Sequence, residues 1–227
     1  ATCDETFERA RRRLKEFDGI KPAEPAPGFR GTLRDYQKQG LGWLFFLQEF
    51  GFGGCLADDM GLGKTVMVLA LLESEAASRR EGAGEAAQGR PSLVVVPRSL
   101  IFNWRREAER FAPALRILDH TGLTRSRSGE EFKDHDVVLT TYGTLRRDVL
   151  LFNELDFNYV ILDEAQAIKN AGTESAKAAR LLRGRHRLAL TGTPVENHLG
   201  ELWSLFEFLN PGILGKASVL KLSGAGA

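Results

Sequence analysis

The 227-residue chain has little cysteine, methionine or histidine, with two, two and four copies respectively. Cys3 and Cys55 are too few and too far apart for a disulfide framework or a cysteine zinc site, so we interpret both as reduced thiols. The histidines show neither metal-ligand spacing nor a nucleophile partner, which favours structural or surface roles for His120, His135, His186 and His198. The sequence therefore gives no support to zinc chemistry or to a disulfide-stabilised fold.

Long apolar runs and an excess of one charge are also missing. No stretch of about eighteen apolar residues occurs, and the first residues show no cleavable leader pattern, so we expect neither membrane spanning nor secretion. The formal net charge is +1 and the pI about 8.0. That balance does not mark a nucleic-acid binder by itself, although it leaves room for a local basic face.

Strand and helix patterns alternate from Leu33 onward in a chain that is 43% apolar. The predicted strands cover residues 53–57, 92–97, 116–120, 136–141, 157–163 and 186–191. The predicted helices cover residues 35–49, 64–78, 100–111, 142–150, 174–182 and 200–209. This alternation predicts an α/β fold with a mainly parallel sheet and helices on both faces.

Residues 1–28 differ in composition from the rest and predict an N-terminal connector. A basic amphipathic helix is predicted over residues 7–17, followed by a link containing Pro22, Pro25 and Pro27. A solvated helix face is the preferred interpretation of the basic run, with nucleic-acid contact as the alternative. We expect residues 29–212 to form one lobe and residues 213–227 to be a truncated tail.

A glycine-rich segment at residues 58–65, DDMGLGKT, lies between a short apolar run and a predicted helix. Strand, glycine loop and helix are the context that a phosphate-binding loop requires. Gly61 and Gly63 would let backbone N–H groups converge on an anion, and the helix beginning at Lys64 adds its positive end. Lys64 would reach the β- and γ-phosphates, and the Thr65 hydroxyl would hold magnesium. The strict pattern has glycine where Asp58 stands, so an ordinary strand-to-helix turn is the alternative.

A second signature, DEAQ at residues 163–166, follows the apolar run of residues 159–162. The carboxylates of Asp163 and Glu164 would emerge at the carboxyl end of a parallel strand, where open α/β sheets bind ligands. Asp163 suits the outer shell of a magnesium ion, and Glu164 suits orienting or deprotonating the attacking water. A solvated loop or a helix cap is the alternative for the pair alone. Together the two segments predict a nucleoside triphosphatase site.

Six segments occur in a consistent order over residues 29–215: LRDYQKQGLGWL (33–44), LADDMGLGKT (56–65), VVVPRSLIFNW (94–104), TTYGTL (140–145), LDEAQAIKN (162–170) and LTGTPVENHLGELWSLFEFLNPGILG (190–215). Together they resemble the first ATPase lobe of a Swi/Snf-type DNA-dependent ATPase of helicase superfamily two, of bacterial type. The resemblance implies a single P-loop lobe, a RecA-like three-layer sandwich. DEAD-box helicases share this architecture but differ in the acidic motif and in the Thr-Gly-Thr-Pro segment.

The resemblance also implies residue roles. Gln37 would hydrogen-bond the adenine edge, and Gln166 would take part in catalysis, directed toward the γ-phosphate and a partner lobe. Magnesium would be held by Thr65 and Asp163, and catalysis would rest on Lys64, Asp163 and Glu164. The implied nucleotide-binding loop consists of Asp59, Met60, Gly61, Leu62, Gly63, Lys64 and Thr65, with Asp59 where the family commonly has glutamate.

Nucleic-acid contacts are implied for loops at the carboxyl ends of strands. The expected DNA-contacting residues are Arg98, Asn103, Thr141 and Tyr142, which would bind phosphates without reading sequence. Trp104 is interpreted as a core residue, with a stacking platform as the alternative, and Trp43 and Trp203 are assigned to packing. Coupling of nucleotide state to DNA grip is implied for Thr191, Gly192 and Thr193.

The implied ligands and partners are ATP, Mg²⁺, double-stranded DNA and a second RecA-like lobe that supplies arginines to the γ-phosphate. DNA-bound proteins are the implied remodelling substrates, and no membrane partner is expected. The implied location is the cytoplasm, near a bacterial nucleoid, or a eukaryotic nucleus. Two other classes stay open on the sequence: a nucleotide- or DNA-binding module that does not hydrolyse ATP, and a P-loop kinase or transferase.

Lys64→Ala tests the phosphate loop. We expect the variant to lose most ATP affinity or turnover while its melting temperature without nucleotide stays unchanged, because the lysine belongs to a ligand site. ATP binding and thermal unfolding measured side by side check this. A large loss of thermal stability without nucleotide would instead assign Lys64 a structural role.

Overall fold

A six-stranded parallel sheet forms the centre of the protein in the computed structural model, which describes residues 18–59, 61–82, 89–192 and 199–215. The strands are β1 (Gly54–Leu56), β2 (Ser92–Val96), β3 (Ile117–Asp119), β4 (Val137–Thr141), β5 (Asp156–Leu162) and β6 (Arg183–Leu190). Their order across the sheet is β1-β6-β5-β2-β4-β3. Because β6 lies between β1 and β5, the loops after these three strands share one edge of the sheet.

Seven α-helices lie within the described ranges, before, between and after the strands. They are α1 (Asp35–Phe50), α2 (Lys64–Arg80), α3 (Ile101–Phe111), α4 (Tyr142–Arg147), α5 (Val149–Asn153), α6 (Glu174–Leu181) and α7 (Leu199–Leu209). Short 3₁₀ turns occupy Arg98–Leu100, Glu130–Asp134 and Ala165–Ile168. Among these described helices, none combines the length and apolar character needed to cross a membrane.

The sheet is covered on both faces, and β2 shows this residue by residue. Successive side chains of a strand point to opposite faces. Val94 and Val96 pack in one apolar cluster with α1, α2 and α3, whereas Leu93 and Val95 pack in a second cluster with α4, α5, α6 and α7. All five positions of β2 are buried, which explains its continuous apolar run. The predicted three-layer α/β arrangement is confirmed.

The predicted elements occur in the predicted order, and their boundaries differ from the predicted ones by at most three residues. One prediction was wrong: residues 142–150 form two helices, not one. The backbone leaves helical geometry at Asp148, where φ is −109° and ψ is 24°. The Asp148 carboxylate accepts hydrogen bonds from Arg125 Nε at 2.5 Å and Nη2 at 2.7 Å. The ion pair with Arg125 thus stabilises the break between α4 and α5. The spacing of apolar residues along the helices gives no sign of this contact.

Packing or structural roles were predicted for all three tryptophans, of which Trp43 and Trp203 are half-buried. Trp104 is 3% exposed, and His120 and His186 are buried beside aromatic rings. Burial comes first among the causes that lower the pKa of His186 to about 4, so this imidazole is neutral at pH 7. Cys55 is partly buried on β1, and burial raises the pKa of its thiol to about 11. The predicted helix of residues 7–17 and the tail beyond residue 215 lie outside the described residues.

Asp136 joins α2 to the far edge of the sheet. Its carboxylate accepts hydrogen bonds from Arg79 Nη2 at 3.2 Å and from the backbone N–H of Arg116 at 2.9 Å. The Arg116 guanidinium adds bonds of 3.2 Å and 3.1 Å. Burial alone would raise the pKa of Asp136, but the hydrogen bonds and charges of the two arginines outweigh it, so this pKa lies below its ordinary value.

Asp136→Asn should lower the free energy of unfolding by about 3 kcal/mol at pH 7, because it leaves a buried cluster with an unpaired charge. A carboxyl group whose folded pKa is lowered stabilises the fold above its unfolded pKa, and that contribution disappears as pH falls through the folded pKa. The difference in free energy of unfolding between the unaltered chain and Asp136→Asn should therefore become smaller below about pH 4. Urea unfolding between pH 7 and pH 3 measures it.

The matched control is Asp156→Asn. Asp156 pairs with Arg183 at 3.5 Å, but both side chains are 53% exposed. Exposed pairs contribute little, so this variant should lose about 0.5 kcal/mol or less. Equal losses in the two variants would contradict the role assigned to Asp136.

Candidate nucleotide site and adjoining cleft

The glycine loop after β1 has the geometry of an anion cradle. Gly61 and Gly63 take φ angles of 86° and 78°, a region that side chains disfavour. α2 begins at Lys64, so its first N–H groups and its positive end face the loop. The Lys64 ammonium donates to the carbonyls of Asp58 at 2.6 Å and Asp59 at 3.0 Å. The sequence-predicted loop residue Met60 lies outside the described residues.

The acidic turn follows β5 at the same edge of the sheet. Asp163 is 7% exposed, and its Oδ2 accepts a 2.8 Å hydrogen bond from Trp104 Nε1. Its Oδ1 accepts the Glu164 backbone N–H at 2.9 Å, and its backbone carbonyl accepts the Tyr142 hydroxyl at 2.8 Å. Asp163, the candidate metal ligand, is therefore fixed by these three hydrogen bonds.

Electrostatics at Asp163 are dominated by burial. Burial raises the pKa of this carboxyl, and the neighbouring Glu164 adds to the rise. The hydrogen bonds from Trp104 and the Glu164 N–H, together with the Lys64 charge, oppose that rise without cancelling it. Lys64 and Asp163, which are 99 positions apart in sequence, are thus close enough to interact electrostatically.

Glu164 has a strained backbone. Within the described ranges it is the non-glycine residue with a positive φ, at 49°. Its Oε2 accepts a 2.6 Å hydrogen bond from Gln166 Nε2, and Gln166 Oε1 accepts a longer one, 3.4 Å, from the Thr191 hydroxyl. A polar chain therefore runs from the acidic turn to the end of β6.

The end of β6 lies between the two motifs. The Thr191 N–H donates to the carbonyl of Leu56 on β1 at 3.2 Å, while its side chain reaches Gln166. Thr191 therefore contacts both the strand that leads into the phosphate loop and the acidic turn. Of the other predicted coupling residues, Gly192 follows directly, and Thr193 lies outside the described residues.

A cavity of about 690 Å³ opens beside the glycine loop. It is lined by the start of α1, the loop glycines and one face of α3, including Tyr36, Gln37, Gly61, Gly63, Arg106, Glu107 and Arg110. The volume falls within the range of small-molecule sites. The structure thus brings Gln37 and the glycine loop into one pocket, and the contact of Gln37 with adenine stays a prediction.

Gln37 is fixed against the loop. Its Oε1 accepts the Arg34 N–H at 2.9 Å, and its Nε2 donates to the Leu62 carbonyl at 3.2 Å. A carboxamide has two N–H groups and two acceptor lone pairs, so these bonds use half of its capacity. A Cβ on Gly63 would lie 2.5 Å from Nε2, so only glycine allows this approach. The amide keeps one further N–H group and one further lone pair for a ligand.

Several pocket residues were missed by the sequence analysis. The Tyr36 hydroxyl donates to the Leu62 carbonyl at 3.0 Å. Arg106 and Arg110 line the pocket from α3, four residues apart and therefore on one helix face. Glu107 Oε2 is buried and has no hydrogen-bond partner among the described residues, and burial raises the pKa of this carboxyl. The four-residue spacing of Arg106 and Arg110 was the sequence signal from which a shared basic helix face could have been predicted.

A second cleft, of about 570 Å³, lies where β2 and β4 end. Its charged lining consists of Arg98, Arg146, Arg147 and Glu174, so three guanidinium groups and one carboxylate border it. Arg98 was predicted to contact DNA, whereas the two arginines of α4 were missed although they directly follow the TTYGTL segment. Asn103 is exposed on α3 and is not part of the lining.

The hydroxyl groups of Thr141 and Tyr142 are engaged within the protein. Thr141 Oγ1 accepts the Thr144 N–H at 3.1 Å and so caps α4. The Tyr142 hydroxyl donates a hydrogen bond to the backbone carbonyl of Asp163. Burial comes first among the causes that raise the pKa of Tyr142 well above the usual value. Both residues line the cleft, and their DNA contacts stay predictions.

Comparison with known proteins identifies the family. The SNF2-related domain matches residues 36–222, which include the glycine loop, the acidic turn, the second cleft and all of the cavity lining except Thr32 and Arg34. The chain belongs to the SNF2-related family. The predicted family and its helicase-like ATPase class are therefore confirmed.

The relatives are longer proteins. A putative ATP-dependent helicase/translocase, YwqA of Bacillus subtilis, is 46% identical over 208 residues, which cover 90% of this chain and 22% of that protein. The TATA-binding protein-associated factor MOT1 of Saccharomyces cerevisiae is 38% identical over 201 residues, 86% of this chain and 11% of that protein. The chain thus spans less than a quarter of either relative.

A solved structure confirms the fold of the SNF2-related family for this chain. The SWI2/SNF2 ATPase core of Sulfolobus solfataricus in complex with dsDNA superposes with a TM-score of 0.76 at 41% sequence identity. The match covers 91% of this chain and 41% of that chain. A structure of the core domain described without DNA gives the same TM-score at 39% identity.

Proposed function

We propose that this chain, with residues 29–212 as its folded lobe, is the first of two ATPase lobes in a motor that moves on double-stranded DNA and remodels protein–DNA complexes. The observation that carries the proposal is the meeting of the glycine loop, the acidic turn and Thr191 at one edge of the sheet. Hydrolysis of a nucleoside triphosphate needs a phosphate cradle, a metal-holding group and a group that positions the attacking water, and these segments supply candidates for all three.

The nucleotide would lie across the cavity beside the loop. Loop N–H groups and the start of α2 suit the phosphates, Lys64 suits the γ-phosphate, and Gln37 suits the adenine edge. The hard oxygen donors of Thr65 and Asp163 fit magnesium. Bound magnesium would neutralise charge that develops on the phosphates.

Glu164 is the proposed acid–base residue. Its carboxylate lies beyond the buried Asp163 and is held at 2.6 Å by Gln166, so its direction is set before a ligand binds. From there it orients the attacking water and accepts its proton. Since Gln166 also contacts Thr191, we propose that this polar chain reports nucleotide state to the DNA-facing side.

DNA is the proposed partner of the second cleft. The related Sulfolobus solfataricus ATPase core is described in complex with dsDNA. Arg98, Arg146 and Arg147 supply guanidinium groups that suit backbone phosphates, which carry no sequence information. DNA-bound proteins are the proposed remodelling substrates, and the proposed location is the nucleoid or the nucleus. A second lobe is proposed to supply arginines to the γ-phosphate.

ATP hydrolysis by this chain, with and without double-stranded DNA, and then with a separately produced second lobe, tests the motor. We expect negligible turnover alone and DNA-dependent turnover once the lobe is added. Glu164→Gln in the two-lobe mixture should lower turnover at least about 100-fold and keep ATP binding, because it removes only the proton acceptor.

Each other outcome has a meaning. Robust turnover by the chain alone would contradict the two-lobe site. Nucleotide binding without any turnover in the complete mixture would favour a non-hydrolysing module. Unchanged turnover in Glu164→Gln would exclude Glu164 as the base.

Arg146→Ala tests the DNA cleft. If Arg146 contacts a phosphate, the variant should bind DNA of any sequence less tightly, and the slope of log affinity against log salt should fall by about one. The control is Arg183→Ala, which removes the same charge at the start of β6, the opposite edge of the sheet. Fluorescence anisotropy over a salt series measures both. Equal effects of the two variants would point to net charge and not to this cleft.

A further inference from the structure

Trp104 makes a buried hydrogen bond to the acidic turn. It lies on α3, packs in the apolar cluster of α1 and α2, and is 3% exposed. A tryptophan has one polar group, a donor, which needs a partner when it is buried. Here the partner is Asp163 Oδ2, the carboxylate predicted to hold magnesium, at 2.8 Å.

The Asp163 carboxylate needs support because its surroundings oppose a fixed, ionised group. Burial removes water from it, and Glu164 places a second carboxylate next to it. The chain reverses at Glu164 with a φ of 49°, which most residues avoid. A metal-holding carboxylate must nevertheless keep its position within about 0.5 Å.

We propose that Trp104 is a positioning residue for the Asp163 carboxylate, fixing its rotation so that its remaining lone pairs would be available to a bound magnesium ion. This role rests on the proposed function. The indole N–H occupies one lone pair of Oδ2, and the Glu164 N–H occupies one of Oδ1. A second lone pair stays on each oxygen. Trp104 acts through Asp163 and belongs to the supporting shell of a metal ligand.

The helix that carries Trp104 strengthens the assignment. Further along α3, Arg106, Glu107 and Arg110 line the nucleotide cavity, so the helix that carries Trp104 also borders the site. Tyr142 fixes the Asp163 backbone from α4 on the other face of the sheet. The carboxylate is thus held between two elements that do not move relative to each other without breaking a buried hydrogen bond.

Trp104→Phe separates positioning from packing, since phenylalanine keeps a buried ring and loses the N–H. The experiment titrates Mg²⁺ into this 227-residue chain with saturating ADP that carries a fluorescent ribose label, excited directly. We expect the half-saturating Mg²⁺ concentration to rise about tenfold, the effect of losing a hydrogen bond to a charged group. Labelled ADP affinity in EDTA should change less than about twofold, because Trp104 does not touch the nucleotide.

The matched control is Trp203→Phe. Trp203 also donates its indole N–H, to the Gly215 carbonyl at 3.0 Å, but it lies on α7 outside the lining of the nucleotide cavity. Its Mg²⁺ dependence should equal that of the unaltered chain. An equal shift in both variants, or no shift in Trp104→Phe, would overturn the positioning role. If the unaltered chain does not bind labelled ADP, either with Mg²⁺ or with EDTA, the proposed function is wrong too. If the unaltered chain binds labelled ADP and Trp104→Phe shows no shift, only the positioning role is wrong.

A second measurement keeps the indole in place. In a Trp43→Phe, Trp203→Phe background, Trp104 is the remaining tryptophan, and its emission reports its hydrogen bond. Asp163→Ala should shift that emission to shorter wavelength, whereas Glu164→Gln should leave it unchanged. An identical emission maximum in all three proteins would show that the Trp104–Asp163 bond is absent in solution and would overturn the proposal even if Trp104→Phe failed to fold.

Discussion

The parallel register of β1, β6 and β5 is the constraint on which the rest of this protein depends. Parallel strands end at the same edge of a sheet, so the glycine loop, Thr191 and the acidic turn must lie side by side once those strands pair. The pairing itself is held by apolar burial on both faces. Site geometry is therefore a consequence of core packing, since moving one strand would separate the phosphate cradle from its carboxylates.

Burial of Asp163 in the acidic turn means that this carboxylate needs hydrogen-bond donors from the protein. Asp163 has little exposure, and Glu164 adopts an unfavourable backbone angle. Hydrogen bonds from Trp104 and Tyr142 compensate at Asp163, because each donor reaches a buried oxygen of this residue, and Gln166 donates to the more exposed carboxylate of Glu164. Such buried polar networks specify one arrangement only when every member is satisfied. This explains why aromatic residues from both faces of the sheet converge on one short turn.

Local patterns predicted the element order well because burial on both faces leaves continuous apolar strands, and glycine loops mark the ends. The phosphate loop was recognisable since its glycines and Lys64 are adjacent in sequence. Prediction failed at Asp148, where Arg125 ends α4 from 23 positions away. It also missed Arg106 and Arg146, because an arginine on a helix looks the same whether it faces a pocket or solvent.

The sequence by itself determined the family, the strand and helix order and the identity of the loop and acidic residues, because these depend on neighbours along the chain. Only the tertiary structure decided that Trp104 binds Asp163 and that the hydroxyl of Tyr142 is turned inward. These contacts join residues 59 and 21 positions apart. Hydrogen bonds depend on distance and direction between elements, and these are fixed by how the helices pack on the sheet and not by any local pattern.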